Sequence, residues 1–337
     1  MLTRTIIWAA LACTALLLPM GTADAQILEA VGERALGMGG AFVAVASDSS
    51  ATWWNPAGLA DGPFFDLSIG RAVDNRHFEF PAGRDRTSGF ALSTPVIGAS
   101  FYRFALVDAA KAVSIDEVSG SRQQGEAQVG LRSWSASAFG ATIVQTLIEG
   151  THVGATLKYV RGTVRTGAAV SSTSPDAALD QGSDLGGGTA EGRFDLDVGA
   201  LATAGAVRFG VLVRNVRAPR FADGAFTLPR QSRVGMAISA EQAGGPPLTI
   251  SVDADLRGYA TGSGMRRVIA VGVEQWLVSK RLGLRAGARF NQVGQMERAL
   301  TAGASIALRA GSYLEAHVVG GGSPAEQGWG AGVRVSF

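Results

Sequence analysis

The last ten residues of the chain, Gly328-Trp329-Gly330-Ala331-Gly332-Val333-Arg334-Val335-Ser336-Phe337, alternate without a break and stop on an aromatic. Trp329, Ala331, Val333, Val335 and Phe337 fall on one face, and Gly328, Gly330, Gly332, Arg334 and Ser336 on the other. A period of two sustained over this length suits a tilted strand that crosses a bilayer, with one face in lipid and one in water. A strand of that kind cannot stand alone, because its backbone donors and acceptors need partners on both edges.

The same alternation recurs upstream. In Leu248–Leu256 the even positions are Leu, Ile, Val, Ala and Leu, and the odd ones are Thr249, Ser251, Asp253 and Asp255. In Arg281–Phe290, Leu282, Leu284, Ala286, Ala288 and Phe290 oppose Arg281, Gly283, Arg285, Gly287 and Arg289. Scored along the chain, the pattern predicts fourteen strands, near 64–71, 87–94, 96–106, 127–148, 151–165, 192–203, 205–217, 230–240, 247–257, 267–278, 281–290, 299–309, 312–319 and 328–337. Short connections such as Thr94-Pro95, Glu149-Gly150 and Ala204-Gly205 alternate with long ones such as 107–126 and 166–191. An even strand count with short turns on the side of both termini is the pattern of a closed outer-membrane barrel. The expected fold is all-β, a 14-stranded antiparallel transmembrane barrel. The segment 166–191, rich in Ser, Gly, Ala and Asp, reads as a flexible solvated external loop, and its Gly186-Gly187-Gly188 lacks the context of a phosphate cradle.

A charge on the lipid face costs about 2–4 kcal/mol at mid-membrane for Arg, so charges in the strands are expected to point inward. Arg281, Arg285, Arg289, Arg233, Arg334, Asp253, Asp255 and Glu274 are therefore expected to line the lumen. Opposed rows would pair across neighbouring strands; Arg285 and Arg289 are the candidates for holding a ligand carboxylate.

The first 25 residues read as a signal peptide: Arg4, an apolar run from Ile6 to Leu18, and a small-x-small site at Ala23-Asp24-Ala25, so that the mature chain starts at Gln26. Cys13, the only cysteine, lies inside it, which removes disulfides and thiol chemistry from the mature protein. A formal net charge of +2, with Lys and Arg scattered singly, offers no basic field for nucleic acid. His77, His152 and His317 have no metal-ligand spacing, and no nucleophile motif is present; the expectation is no enzyme, no cofactor and no metal. Paired carboxylates such as Asp195 with Asp197 are ordinary lumen residues.

Residues 26–62 do not alternate. Ser47 or Asp48 could cap a short helix that Pro56 would stop. The apolar run Ala41–Val45 and the pair Trp53-Trp54 argue for packing, and the lumen is the cavity available to them.

Gly32–Ala60, GERALGMGGAFVAVASDSSATWWNPAGLA, resembles the N-terminal signature of the FadL family of long-chain fatty-acid channels and of the related PorV/PorQ-type outer-membrane proteins. The terminal Phe337 likewise resembles the C-terminal signature of bacterial outer-membrane barrels. After the signal peptide at 1–25, the resemblance implies an N-terminal hatch at 26–62 inside a porin-like barrel at 63–337, in the bacterial outer membrane. It assigns the hatch, or gate, to Gly37, Gly39, Gly40, Asn55, Pro56, Ala57 and Gly58. Independently of the resemblance, the inward-facing charges Arg285, Arg289, Arg233, Arg334, Asp253, Asp255 and Glu274 are the candidate lumen or ligand-headgroup residues, with structural pairing the favoured role. The implied function is passive uptake of a hydrophobic, fatty-acid-like small molecule; the alternative is a PorV/PorQ-type component that hands over cargo to secretion-system proteins. Its surroundings in either case are outer-membrane lipid. A lateral opening would need a strand defect, for which Pro95 with Gly98 is a candidate, although Pro95 also reads as a plain turn residue.

Overall fold

The computed structural model describes residues 30–76, 80–112, 128–170, 173–261, 264–294, 297–321 and 326–337. Residues 1–25, expected to be a signal peptide, and Gln26 and His77 lie outside the described residues. Fourteen strands close one barrel: β1 (Asp66–Arg76), β2 (Ala82–Ser93), β3 (Ile97–Ala112), β4 (Gln128–Ile148), β5 (Thr151–Val170), β6 (Ala190–Ala204), β7 (Val207–Arg214), β8 (Gln231–Ser239), β9 (Leu248–Asp255), β10 (Val268–Leu277), β11 (Leu282–Asn291), β12 (Arg298–Arg309), β13 (Ser312–Gly321) and β14 (Glu326–Ser336). Every strand pairs antiparallel with its neighbours in sequence, and β1 closes onto β14 through Asp66↔Ser336 to Arg76↔Glu326. Closure carries the ladder round the ring and satisfies the backbone groups of the strands within the sheet, except where β6 outruns β7. Among the described residues no helix is long and apolar enough to cross a membrane.

The strands fall where the alternation places them, but several run further on the long-loop side. β3 continues to Ala112 and β5 to Val170, so β3–β5, at 16, 21 and 20 residues, stand taller than the rest of the wall. Segment 166–191 is correspondingly not a flexible loop throughout. Its first residues extend β5, and helix α3 (Pro175–Ser183) begins with Pro at its first position and Ser174 accepting the Ala177 N–H. The α3 side chains Ala178 and Leu179 bury themselves against Val107, Ala109, Val129 and Leu131 on the outer face of the wall. Arg84 fastens the helix from below through Asp180 (2.5 Å) and Asp176 (3.4 Å). An apolar patch on the outer face of the tall end of the wall is covered by α3.

Pro95 is a turn residue. Pairing of β2 with β3 runs unbroken from Ser93↔Gly98 to Ala82↔Ala109, with no bulge at Gly98. Within the paired strands the register shifts lie near the short-turn ends, at Thr146/Ile148 and Ala307/Arg309.

The wall changes course at β6. Its pairing with β7 stops at Val198↔Val213, although β6 continues up to Ala190. Above that point Asp197 and Asp195 accept the backbone N–H groups of Asn215 and Arg217 at 2.8 and 3.0 Å. Asn215 and Ala218 adopt positive φ, and the β7–β8 connection turns into the lumen. It carries a small ribbon, Arg220–Phe221 with Phe226–Thr227, whose two phenylalanines are fully buried.

Candidate functional site

The interior is filled from the terminus side by residues 30–62, which form helix α1 (Glu33–Gly37), helix α2 (Ala51–Trp54) and a 3-10 turn over Pro56–Asp61. α2 starts after Ser50, whose N–H and hydroxyl both donate to Asp48. Pro56 ends α2 and opens the 3-10 turn. The segment lies against the wall with almost no side chain between the two backbones. Gly37 meets Gly303 of β12 so closely that a Cβ on either would sit 3.0 Å from the other's Cα. A Cβ at Gly272 would lie 2.5 Å from the Met38 carbonyl, and one at Gly154 an equal distance from the Pro56 carbonyl carbon. Gly210, Gly235 and Gly287 make the same close approach to Val43, Ala44 and Met38. Gly39 and Gly40 have φ of +69° and +82°, which only glycine adopts without strain and which turn the chain after α1. A Cβ at Gly58 would strike the Ala46 carbonyl.

Polar anchors supplement these contacts. Asn55, fully buried, donates to the carbonyls of Val43 (2.8 Å) and Ala200 (3.1 Å) and accepts the Ala57 N–H (3.2 Å). Asp253 accepts both the Phe42 and Val43 N–H groups, at 2.7 and 2.8 Å. Trp54 donates to the Val31 carbonyl and Thr301 to that of Gly37.

The lumen above and beside this segment has two unlike halves. On the side of β8–β14 it is ionic. Glu274 accepts from Arg34 and from Arg285, which also faces Glu315 at 3.7 Å. Arg334 pairs with Glu315, Arg289 with Asp74 and Arg233 with Asp255. Each arginine singled out as a possible headgroup residue thus has a carboxylate partner in this structure. Arg281 is not in the lumen: it is exposed in the turn before β11, because β11 begins one residue later than the alternation suggests. Of the histidines, His152 is held by Thr146 (2.9 Å) and Asp61 (3.3 Å), and His317 is buried on β13. Among the described residues no group of His, Cys, Asp or Glu could hold a metal ion.

On the side of β3–β5 the lumen is aromatic. Phe226 of the inward ribbon stacks on Trp134 of β4 with centroids 4.4 Å apart and planes 13° from parallel. Trp134 stacks on Phe104 at 6.5 Å, and Phe104 meets Trp53 of the N-terminal segment at 5.2 Å. Tyr102 closes on Trp53 edge-on at 5.6 Å. Cations flank the lower end, with the Arg214 guanidinium 4.9 Å and the Lys158 ammonium 5.4 Å from the Trp53 ring. Lys158 is itself tied to Asp195 and Asp197. This column of rings runs from the outer mouth to α2, and alternation scoring misses it. Apart from the outward Arg103, both faces of β3 are apolar around Phe101–Val107, so the period of two fades there. The signal that could have found it is the run of rings itself, Phe101, Tyr102 and Phe104 on β3 with Trp134 opposite.

A closed fourteen-stranded barrel with its N-terminal residues packed in the lumen is a fold the chain shares with solved FadL-type structures. The chain is similar over nearly its full length to the Ralstonia pickettii toluene transporter TbuX, at 16% identity and TM-score 0.61, covering 92% of this chain and 99% of that one. It is similar to the CymD monoaromatic hydrocarbon channel at 14% identity and TM-score 0.62, covering 93% and 99%. A Pseudomonas aeruginosa FadL homologue matches at 7% identity and TM-score 0.61, covering 94% and 99%. No family model matches the chain, and no curated protein matches it.

Proposed function

We propose that this protein is an outer-membrane channel for passive uptake of hydrophobic, fatty-acid-like small molecules, with residues 26–62 as its hatch. The observation that carries the reading is the aromatic column: one continuous apolar track, filled by its own side chains, from the outer mouth to Trp53. An apolar solute displaces rings that are held by stacking alone, whereas the ionic half resists it, because separating buried ion pairs is costly. The toluene transporter and the monoaromatic hydrocarbon channel to which the chain is similar support an apolar cargo. Gly37, Gly39, Gly40, Asn55, Pro56, Ala57 and Gly58 shape the hatch, and movement of the rings around Trp53 at its edge opens the track.

The experiment is flux of toluene and of oleate into liposomes carrying the purified barrel, with Ala136→Glu as the variant. Ala136 faces the column on the same strand as Trp134. Flux above empty liposomes that disappears in the folded Ala136→Glu barrel is the expected result. Flux equal to empty liposomes for both solutes would remove the channel reading.

A further inference from the structure

The outer face of β1–β5 carries an arrangement that uptake does not use. Cross-strand partners share a face, so the register defines rows around the barrel. One row reads Ile69, Phe90, Phe101, Phe139, Tyr159, Phe194. Its rings touch across strands, Phe101 with Phe139 at 4.7 Å and Tyr159 with Phe194 at 5.0 Å. An outward row of aromatics marks the level where hydrocarbon meets headgroups. The next row toward the long loops reads Arg71, Ser88, Arg103, Ser137, Arg161, and the one after includes Arg86, Ser135 and Thr163. These arginines point outward, against the expectation that strand charges face the lumen. They are tolerable there because the cost of a lipid-face Arg falls to about 0–1 kcal/mol near the interface.

Arg71, Arg86, Arg103 and Arg161 line a hollow of about 580 Å³, together with the hydroxyls of Ser88, Ser135, Ser137 and Thr163. Its outer rim is fixed by the α3 strap, where Arg165 donates to the Gly187 carbonyl and to Ser135 at 2.8 Å each. Its floor is the aromatic row, with the Arg103 guanidinium 5.6 Å from the Phe101 ring. Among the described residues none of these four arginines has a carboxylate partner, whereas Arg285, Arg289, Arg233 and Arg334 in the lumen all do. Arg71 and Arg103 stand two strands apart, roughly 10 Å, as do Arg103 and Arg161. Four uncompensated guanidinium groups at this spacing suit a polyvalent anion, and their planar forks suit phosphate oxygens.

We propose that this hollow binds the phosphate-bearing headgroup of an outer-leaflet glycolipid, whose acyl chains run down over Phe90, Phe101 and Phe139. A lipid is favoured over a soluble anion because the site opens sideways into the bilayer, directly above an apolar floor. Bound lipid neutralises the four charges and clamps β1–β5, the part of the wall that carries the aromatic column on its inner side.

The test is a titration of the full-length detergent-solubilised barrel with bis-phosphorylated lipid A, monophosphoryl lipid A, phosphatidylglycerol and inorganic phosphate, read by native mass spectrometry. The expected result is retention of bis-phosphorylated lipid A, with weaker binding of the monophosphoryl form. Replacing all four residues, Arg71→Gln, Arg86→Gln, Arg103→Gln and Arg161→Gln, is expected to weaken it about tenfold or more. Lys at the same four positions should retain most of the binding. If the fourfold Gln variant does not fold, Arg103→Gln and Arg161→Gln singly should each show a several-fold loss. Unchanged affinity in the Gln variants would overturn the proposal. So would equal binding of phosphatidylglycerol, or displacement of lipid A by millimolar inorganic phosphate.

Discussion

Glu274, in the middle of β10, reaches across the lumen to the helix α1 residue Arg34 and accepts two hydrogen bonds from its guanidinium, at 2.8 and 2.7 Å. It also accepts one from Arg285 at 2.7 Å, so one carboxylate joins the N-terminal segment to two strands of the wall. Glu274 is nearly fully buried, and removing one member of such a group leaves the others charged and uncompensated. Glu274→Gln is expected to lower stability by about 3–5 kcal/mol. The gel-shift temperature at which the barrel loses its folded mobility reads this directly, and an unchanged temperature would mean that the segment is held without the pair.

The close backbone contacts make a sharper prediction. Gly287→Val places its side chain into Met38 and Gly39, so residues 30–40 should lose their seat while the wall still forms. Limited trypsin digestion should then cut at Arg34, which is protected in the parent. Gly320→Ala, with no heavy atom within 4 Å of the added carbon, is the matched control and should leave protection unchanged.

Burial pushes the Glu33 carboxyl up to about 8; Glu315 and Asp48 act in the same direction, and Arg285 opposes them. The folded state therefore keeps a proton that the unfolded chain releases near 4.5. Between those values the native state binds more protons, so stability falls as pH rises. Thermal melts from pH 5 to pH 8 should show this decline, and Glu33→Gln should flatten it. A decline of equal slope in the Gln variant would assign it to other groups.

Phe221 and Phe226 close the outer end of the aromatic column from a ribbon that makes few ladder bonds of its own. Replacing both by Ala is expected to raise toluene flux into liposomes several-fold, because the track loses its outer stopper while Trp134 and Phe104 remain. Flux at or below the parent level would show that the ribbon holds the column open instead of closing it.

The barrel was legible because most strands separate two solvents, and that separation imprints a period of two on residues as different as Leu284 and Arg285. It was less legible wherever both faces of a strand were apolar or both were polar. On β3, Tyr102 and Phe104 face the column while Phe101 faces lipid, so neither face announces itself. On the outer face, Arg71 and Arg103 sit at lipid-side positions, and only the register, which pairs Arg71 with Ser88 and Ser88 with Arg103, shows that they share a row just above the rings. The α3 helix is hidden for another reason: nine residues with little amphipathic contrast, set in a Gly- and Ser-rich stretch, carry a weak helical pattern until the wall beneath them is known.

The tight fit between the N-terminal segment and the wall also reaches the seam of the ring. Glu33 sits against Gly70 on β1 and Gly332 on β14, the first and last strands, whose pairing is the seam that completes the ring. A side chain at Gly70 or Gly332 would run into the Glu33 carboxylate, so the closing seam and the segment inside it share one contact, and neither can be altered without disturbing the other.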